Sequence, residues 1–181
     1  MRIVYIGLGA NLASQAGGPE ATLAAAVGRM SALGRVTARS RLYSTAPVGF
    51  ADQPRFVNAV VRLETLLEPR EILDALLGIE AEFGRDRSAG VANGPRTLDL
   101  DILLIEGEQV NESGLVAPHP RLHQRAFALA PLCEVGAGAR DPVSGVTMAE
   151  WLEQLPPSER ESVEPIESEV WQAMDCGSEA G

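Results

Sequence analysis

The sequence LDLDILLI occupies residues 98–105 and combines an apolar run with two aspartates near its start. This composition predicts a β-strand. Three upstream segments, 3–8, 36–43 and 56–65, have a similar strand-like content of β-branched and apolar residues. Four strands are therefore predicted, and the aspartates lie on the last of them.

Two amphipathic helices are predicted between these strands. Apolar residues recur at helical spacing over 19–33 and again over 69–83, and a glycine follows each segment. The order β, α, β, β, α, β is that of a ferredoxin-like α+β sandwich, in which two helices cover one face of an antiparallel sheet. Helices predicted over 122–134 and 148–155 are additions to that core.

The acidic charge of this 181-residue chain is concentrated near its C-terminus. From Glu150 onward nine acids stand against one arginine, so the last 32 residues carry −8 of the total charge of −10. Beyond residue 157 large apolar residues are scarce, which predicts a single domain over 1–157 and an acidic, mobile tail over 158–181. Three tail residues could still dock as one helical turn: Val170, Trp171 and Met174.

The basic residues exclude several classes of function. All fifteen are arginines, and the chain contains no lysine. A lysine Schiff base and the phosphate-binding lysine of a P-loop are therefore excluded. An acidic surface without lysine also argues against nucleic-acid binding, which needs a basic track that displaces counterions. Any bound phosphate must be held by arginine, backbone or metal.

The remaining composition points to a cytoplasmic protein. No apolar run approaches the roughly 20 residues that span a bilayer, so no membrane segment is expected. Residues 1–6 enter a strand-like run without the basic region and long apolar core of a signal peptide. Cys133 and Cys176 lie far apart in unlike contexts, which predicts neither a disulfide framework nor a Cys-x-x-Cys metal site.

Asp99 and Asp101 give the strongest chemical signal. Alternate strand residues point to the same face, so both carboxylates project together. Two bare charges about 5 Å apart would repel by roughly 3 kcal/mol. A hard divalent cation fits this arrangement, because magnesium commonly combines one or two carboxylates with substrate phosphates. The alternative is a solvated strand edge whose acids pair with arginines.

A basic loop, residues 84–96, directly precedes the acidic strand. It contains three glycines and three arginines, Arg85, Arg87 and Arg96. Arginine forks match phosphate oxygens, and glycines allow a loop to close over a ligand. A basic loop beside an acidic metal pair indicates phosphoryl transfer. The alternative is a surface hairpin whose arginines balance neighbouring acids.

Four motifs together resemble the 6-hydroxymethyl-7,8-dihydropterin pyrophosphokinase family. They are residues 5–12 (YIGLGANL), 52–59 (DQPRFVNA), 94–101 (GPRTLDLD) and 117–127 (APHPRLHQRAF). The likeness covers about residues 3–155. It implies the ferredoxin-like fold and the transfer of the β,γ-pyrophosphoryl group of ATP to the hydroxymethyl group of the dihydropterin, with release of AMP, in folate biosynthesis.

The resemblance also implies how the phosphate side of the site is built. Asp99 and Asp101 would bind two magnesium ions and, with Arg85 and Arg96, form the catalytic set. ATP, the co-substrate, would be bound by six side chains: Glu80, Arg85, Arg87, Arg96, His119 and Arg125. Taken without the resemblance, His119 is a turn histidine between two prolines.

On the pterin side, the resemblance places the substrate between two aromatic rings, those of Phe56 and Phe127. Asn58 and backbone near Thr45 and Val48 would provide the hydrogen bonds. Without the resemblance, the two phenylalanines would be ordinary core residues. The expected protein is a monomer that binds ATP and the dihydropterin.

Three features depart from the family pattern. Ala10 replaces the serine of a family GSN motif, and the arginine loop is one residue longer than in familiar members. Ala92 and Asn93 stand where those members have an arginine and a tryptophan. The loop is therefore expected to close differently on the nucleotide.

Two other functions fit part of the sequence. One is another two-metal enzyme, such as a nucleotidyl cyclase or polymerase palm, which also places two acids on a strand. The other is a non-catalytic ligand-binding or regulatory domain of ferredoxin-like form. Cyclic nucleotide instead of AMP would mark the first, and ligand binding without magnesium would mark the second.

Overall fold

The computed structural model describes residues 1–47, 52–85 and 94–174. Its strands are β1 (Arg2–Ala10), β2 (Arg35–Arg39), β3 (Leu42–Thr45), β4 (Phe56–Thr65), β5 (Asp99–Ile105), β6 (Val110–Glu112), β7 (Leu115–Ala117) and β8 (Glu164–Ile166). Its helices are α1 (Pro19–Met30), α2 (Pro69–Glu82), α3 (Ala126–Gly136), α4 (Met148–Gln154), α5 (Pro157–Glu161) and α6 (Glu169–Gln172). The four predicted strand regions and the four predicted helices are all present.

An antiparallel six-stranded sheet forms the central layer. Its order is β5-β1-β4-β3-β8, and β2 also pairs with β4. The end of β1 and the starts of β4 and β5 lie side by side at one end of these strands, because Gly9 pairs with both Asn58 and Asp99. This end of the sheet carries the candidate site. Strands β6 and β7 form a separate hairpin.

Each face of the sheet is covered by helices. Alternate residues of β1 divide between two apolar cores, since Val4, Ile6 and Leu8 pack with α1 and α2 whereas Tyr5 packs with α3 and α4. The predicted helix over 122–134 is a short helical turn (Leu122–Gln124) followed by α3. The second helical layer is thus built from the segment that follows the acidic strand.

The strand predicted over 36–43 is two strands. The register against β4 shifts between β2 and β3, and Ser40 lies between them. Its hydroxyl accepts a hydrogen bond from the Val60 N–H at 3.0 Å, and its own N–H donates to the Val60 carbonyl at 2.9 Å. A side-chain acceptor therefore replaces the regular ladder at this point.

Residues 158–174 form part of the fold, although the sequence predicts a mobile tail there. Strand β8 pairs with β3, and α6 places Trp171 in the first core with 5% of its surface exposed. The Trp171 indole N–H donates to the Ser40 carbonyl at 2.9 Å. A helical turn is present, and within it Trp171 is buried, whereas Val170 is exposed and Met174, beyond the turn, is partly buried. The domain boundary after residue 157 stays a prediction.

No helix in the described ranges is long and apolar enough to cross a membrane.

Candidate active site

A cavity of about 560 Å³ opens at the end of the sheet where β1, β4 and β5 lie side by side. This volume is in the range of small-molecule sites. The sequence assigned thirteen residues to the site, and eight of the eleven that the structure describes line the cavity. They are Thr45, Phe56, Asn58, Arg96, Asp99, Asp101, Arg125 and Phe127.

Asn58 and Thr45 form the polar end of the pocket. Both are buried, and the Asn58 amide donates to the Thr45 hydroxyl at 2.8 Å. Gly9 lies against this pair, because a Cβ at position 9 would be 3.1 Å from Asn58 Oδ1. The orientation of the Asn58 amide is therefore set by its neighbours on β1 and β3.

Two aromatic rings in the cavity are each covered by an arginine. The Arg96 guanidinium carbon lies 5.5 Å from the Phe56 ring centroid, and that of Arg125 lies 5.4 Å from the Phe127 centroid. Both distances are within cation–π range. The aromatic and the cationic parts of the site are therefore in direct contact.

The two aspartates have different surroundings. Asp99 forms ion pairs with Arg85 at 2.5 Å and with Arg96 at 2.7 Å. No ion pair to Asp101 is found among the described residues. Burial, with the charge of Asp99, raises the pKa of Asp101 to about 6. The alternative to a metal site was a solvated strand edge whose two acids pair with arginines. Of the two aspartates, Asp99 has such arginine partners and Asp101 has none among the described residues.

The donor set at these aspartates fits magnesium. Two carboxylates face one cavity from alternate positions of β5, and Asp101 has no ion-pair partner within the described ranges. Within those ranges no third histidine, cysteine or carboxylate completes a protein-only metal cluster. Magnesium is usually bound by one or two carboxylates, with water and substrate phosphates as the other ligands.

Glu80 and Arg85 lie behind the aspartates and do not line the cavity. Glu80 is almost fully buried and accepts the Leu100 N–H at 2.8 Å. Arg85 lies 3.7 Å from Glu80 and donates to the Leu98 carbonyl at 2.8 Å. These contacts hold the start of β5 against α2. The ATP-binding role of both residues stays a prediction.

His119 is fixed beside the cavity but does not line it. The backbone N–H of His119 donates to the Leu103 carbonyl at 2.8 Å, and the ring Nδ1 accepts a hydrogen bond from the backbone N–H of Arg121 at 3.2 Å. Burial, followed by the charges of Arg125 and Arg121, lowers the pKa of His119 to about 4. The ring is therefore neutral at pH 7, with its proton on Nε2.

Val48 and Arg87, assigned to pterin and ATP respectively, lie outside the described residues.

Asn11, to which the sequence analysis gave no role although it lies in the first motif, supports the site without lining the cavity. Its amide donates to Gln53 Oε1 at 2.9 Å and to the Pro54 carbonyl at 3.0 Å, while its Oδ1 accepts the Arg96 N–H at 2.8 Å. Asn11 thus joins the segment before β4 to the segment before β5. The signal was available, because a polar residue directly after a buried strand has to find partners.

Other missed residues are polar groups on the cavity wall. They come from the segment after β7 and from α5, and they are Arg121, Gln124, Ser158, Glu159 and Ser162. Arg121 and Gln124 lie inside the fourth sequence motif, so they could have been considered. The α5 residues gave no signal, because only the folded chain brings them to the cavity.

Residues 5–137 match the model of the protein family described as 7,8-dihydro-6-hydroxymethylpterin-pyrophosphokinase (HPPK). The chain belongs to the HPPK family. The matched region contains every cavity-lining residue except Ser158, Glu159 and Ser162. The wall formed by α5 therefore lies outside the region that the family model describes.

Named relatives agree with the HPPK assignment. The chain is 42% identical over 166 residues to a 2-amino-4-hydroxy-6-hydroxymethyldihydropteridine pyrophosphokinase of Methylorubrum extorquens, covering 91% of this chain and 100% of that one. It is 44% identical over 135 residues to a protein of the same name from Bacillus subtilis, covering 74% of this chain and 77% of that one.

Solved structures of HPPK proteins share the fold. The crystal structure of wild-type Plasmodium falciparum HPPK-DHPS with pterin and p-hydroxybenzoate matches with a TM-score of 0.64 and 14% identity. The match covers 84% of this chain and 43% of that longer chain. At this identity the likeness shows the fold alone.

Proposed function

We propose that this chain transfers the pyrophosphoryl group of ATP to 6-hydroxymethyl-7,8-dihydropterin, giving AMP and the pterin diphosphate in folate biosynthesis. One observation carries the proposal: a single cavity joins an aromatic and amide pocket to a pair of aspartates and several arginines. The first part suits a flat heterocycle, and the second suits metal-bound phosphates. The names of the HPPK relatives support the identity of both substrates.

The pterin occupies the aromatic part of the cavity. The rings of Phe56 and Phe127 bury its two faces, which is favourable because stacked aromatic pairs contribute about 0.5–1.5 kcal/mol beyond area burial. Asn58, oriented by the Thr45 hydroxyl, binds the polar edge of the heterocycle. Val48 belongs to this proposal on the family resemblance alone.

Asp99 and Asp101 hold magnesium in this proposal, and we propose two ions. When bound there, magnesium would supply positive charge against the charge that develops on the transferred group and on the leaving AMP oxygen. Asp101 contributes a carboxylate without an ion pair in the described ranges, whereas Asp99 shares its charge with Arg85 and Arg96. A bound cation should therefore stabilise the charge of Asp101 more than that of Asp99, which arginines already stabilise.

Arginines and a histidine orient the phosphates. Arg96 and Arg125 line the cavity and donate to phosphate oxygens. His119 lies beside the cavity, so its neutral ring as a further donor belongs to the proposal on the family resemblance. Arg85 fixes Asp99, and Glu80 fixes Arg85 and the backbone of β5. The ATP contacts of Glu80, Arg85 and Arg87 belong to the proposal on the family resemblance.

The finer assignments of fold and location are also proposals. A ferredoxin-like assignment is supported by the order β5-β1-β4 followed by β2 and β3, with α1 and α2 on one face. Helices α3 and α4 then cover the opposite face. We propose that the protein acts as a monomer in the cytoplasm.

The deciding experiment is a product analysis. Protein, ATP, magnesium and hydroxymethyldihydropterin are incubated, and the nucleotides are separated by chromatography. AMP and the pterin diphosphate should appear in equal amounts and only with the pterin present. Cyclic nucleotide would indicate the other two-metal enzyme, and ligand binding without any product would indicate a non-catalytic domain.

A further inference from the structure

We propose that Arg121 is a further phosphate-binding residue of this site, acting with Arg125 on the triphosphate of ATP. This inference rests on the proposed pyrophosphoryl transfer and extends it to a residue with no role so far.

The backbone around Arg121 is held on both sides. Its N–H donates to His119 Nδ1 at 3.2 Å, and its carbonyl accepts the Gln124 N–H at 3.1 Å. The side chain lines the cavity next to Gln124 and Arg125. The short helical turn therefore presents Arg121 to the cavity from a fixed base.

Three arginines line the cavity among the residues that the structure describes, and their partners differ. Arg96 forms an ion pair with Asp99 at 2.7 Å. Within the described ranges, no carboxylate lies within ion-pair distance of Arg121 or Arg125. Two arginines without an ion pair in the described ranges thus line the same cavity.

Arg121 and Arg125 are close enough to influence each other. The charge of Arg121 lowers the pKa of Arg125, second to burial, and also lowers the pKa of His119. Neighbouring cations repel, so this arrangement is unfavourable in the empty cavity. A polyanion between them would convert the repulsion into two sets of charge-assisted hydrogen bonds.

The triphosphate of ATP is the polyanion that this position favours. Arg125 is close enough to Asp101 and Asp99 for their charges to raise its pKa, so this arginine lies near the proposed metal ligands, and Arg121 is its neighbour. The dihydropterin carries no phosphate before the reaction. Arg121 should therefore affect ATP much more than pterin.

The test compares Arg121→Gln and Arg121→Lys with Arg160→Gln. Arg160 is exposed on α5 and does not line the cavity, so its replacement gives the same change of charge without touching the site. We expect Arg121→Gln to raise the KM for ATP about tenfold or more, because hydrogen bonds to charged groups are strong. The KM for the pterin should change less than about twofold. Arg121→Lys keeps the positive charge but loses the forked guanidinium, so its KM for ATP should lie between those of the wild type and Arg121→Gln.

A second measurement is independent of turnover. Calorimetric titration with magnesium and α,β-methylene ATP should show the same loss of affinity in Arg121→Gln and none in Arg160→Gln. If wild type makes no AMP, the proposed function fails, while the titration still decides the role of Arg121. Wild-type ATP affinity in Arg121→Gln would overturn the inference. Equal loss of ATP and pterin affinity would also overturn it, since that indicates general packing.

Discussion

The carboxylate of Asp99 lies 2.7 Å from the guanidinium of Arg96, three residues before it in the chain. Arg85 pairs with the same carboxylate at 2.5 Å. Asp101, two residues further along β5, faces the cavity without an ion pair in the described ranges. The two aspartates look equivalent in the sequence, but their charges affect folding stability in opposite directions. The charge of Asp99 is stabilised by its ion pairs, whereas the charge of Asp101 is unfavourable in the metal-free protein.

Replacing Asp101 with asparagine should stabilise the metal-free protein at neutral pH. The pKa of Asp101 is raised from 3.8 to about 6 in the folded protein by burial and by Asp99. Folding then favours the protonated form, so this group's contribution to stability is fully present below pH 3.8 and is lost as the pH rises through about 6. Asp101→Asn should gain about 2–3 kcal/mol at pH 7 and almost nothing below pH 4.

Thermal melts from pH 4 to 8 without metal measure this difference. Asp74→Asn, an exposed change on α2, is the control for loss of one negative charge. AMP formation by Asp101→Asn should fall by several orders of magnitude, because the site loses a metal ligand. A less stable but fully active variant would contradict the metal-site proposal.

Replacing Asp99 should have the opposite effect on stability. Asp99→Asn removes the acid from two ion pairs and leaves the largely buried guanidiniums of Arg85 and Arg96 without it. Loss of one partner of a buried pair is unfavourable, so we expect roughly 1–3 kcal/mol of destabilisation despite the relief of repulsion with Asp101. Urea unfolding at pH 7 shows whether the free energy of unfolding falls or rises in Asp99→Asn. A gain like that of Asp101→Asn would mean that the ion pairs contribute little.

Local sequence predicts the aspartate pair, because the alternation of a strand places Asp99 and Asp101 on one face. Phe56, Asn58 and Phe127 were assigned through the family resemblance, and they line the same cavity as the aspartates. The positions of Glu80 and Arg85 behind β5 were not predictable. Sequence spacing shows that acids and arginines are near each other, but only packing decides which of them pair.

Glu80 can be tested for support of β5 and for ATP binding separately. Glu80→Ala removes the acceptor of the Leu100 N–H and a neighbour of Arg85, and should destabilise by about 2–4 kcal/mol. Glu80→Gln keeps an acceptor oxygen and should lose less. Urea unfolding measures both. If Glu80 also binds ATP, the KM for ATP will rise in Glu80→Gln while the pterin KM stays constant.

The pterin end of the pocket should not tolerate a methyl group at Gly9. A Cβ there would lie 3.1 Å from Asn58 Oδ1, and Asn58 is held by Thr45, so the amide has to shift by a few tenths of an ångström. We expect Gly9→Ala to raise the pterin KM about three- to tenfold, since a shifted hydrogen bond loses part of its roughly 1 kcal/mol. The KM for ATP should change little.

Gly28→Ala is the matched control for that substitution. Gly28 lies in α1, and a Cβ there would have nothing within 4 Å. The change should leave both KM values unaltered and raise stability by about 0.5–1 kcal/mol, because alanine favours helix. Wild-type pterin kinetics in Gly9→Ala would show that the Asn58 amide adjusts freely.

The C-terminal segment was the least predictable part of the fold. Its attachment depends on partners far away in sequence, such as the Ser40 carbonyl for Trp171 and β3 for β8. The sequence indicates a docking helical turn around Trp171, but an acidic segment with few apolar residues gives no pattern that identifies its partners. Buried Trp171 and Val163, the pairing of β8 with β3, and hydrogen bonds from Arg39 to carbonyls of residues 171–174 nevertheless hold it in place.

Truncation decides whether the segment after residue 157 belongs to the functional domain. A chain ending at residue 157 loses β8, Trp171 and the α5 wall of the cavity, whereas a chain ending at residue 174 keeps every contact described here. We expect the shorter chain to be less stable by about 3 kcal/mol or more, the usual effect of losing a buried tryptophan. Its pterin KM should rise as well, because the cavity opens beside Thr45.

Trp171→Ala separates the effects on stability and on pterin binding. It should lower the melting temperature by an amount comparable to that of the truncation but change the pterin KM less than the truncation does. If the domain ends at residue 157, all three proteins will instead match the full-length chain in melting temperature and AMP release.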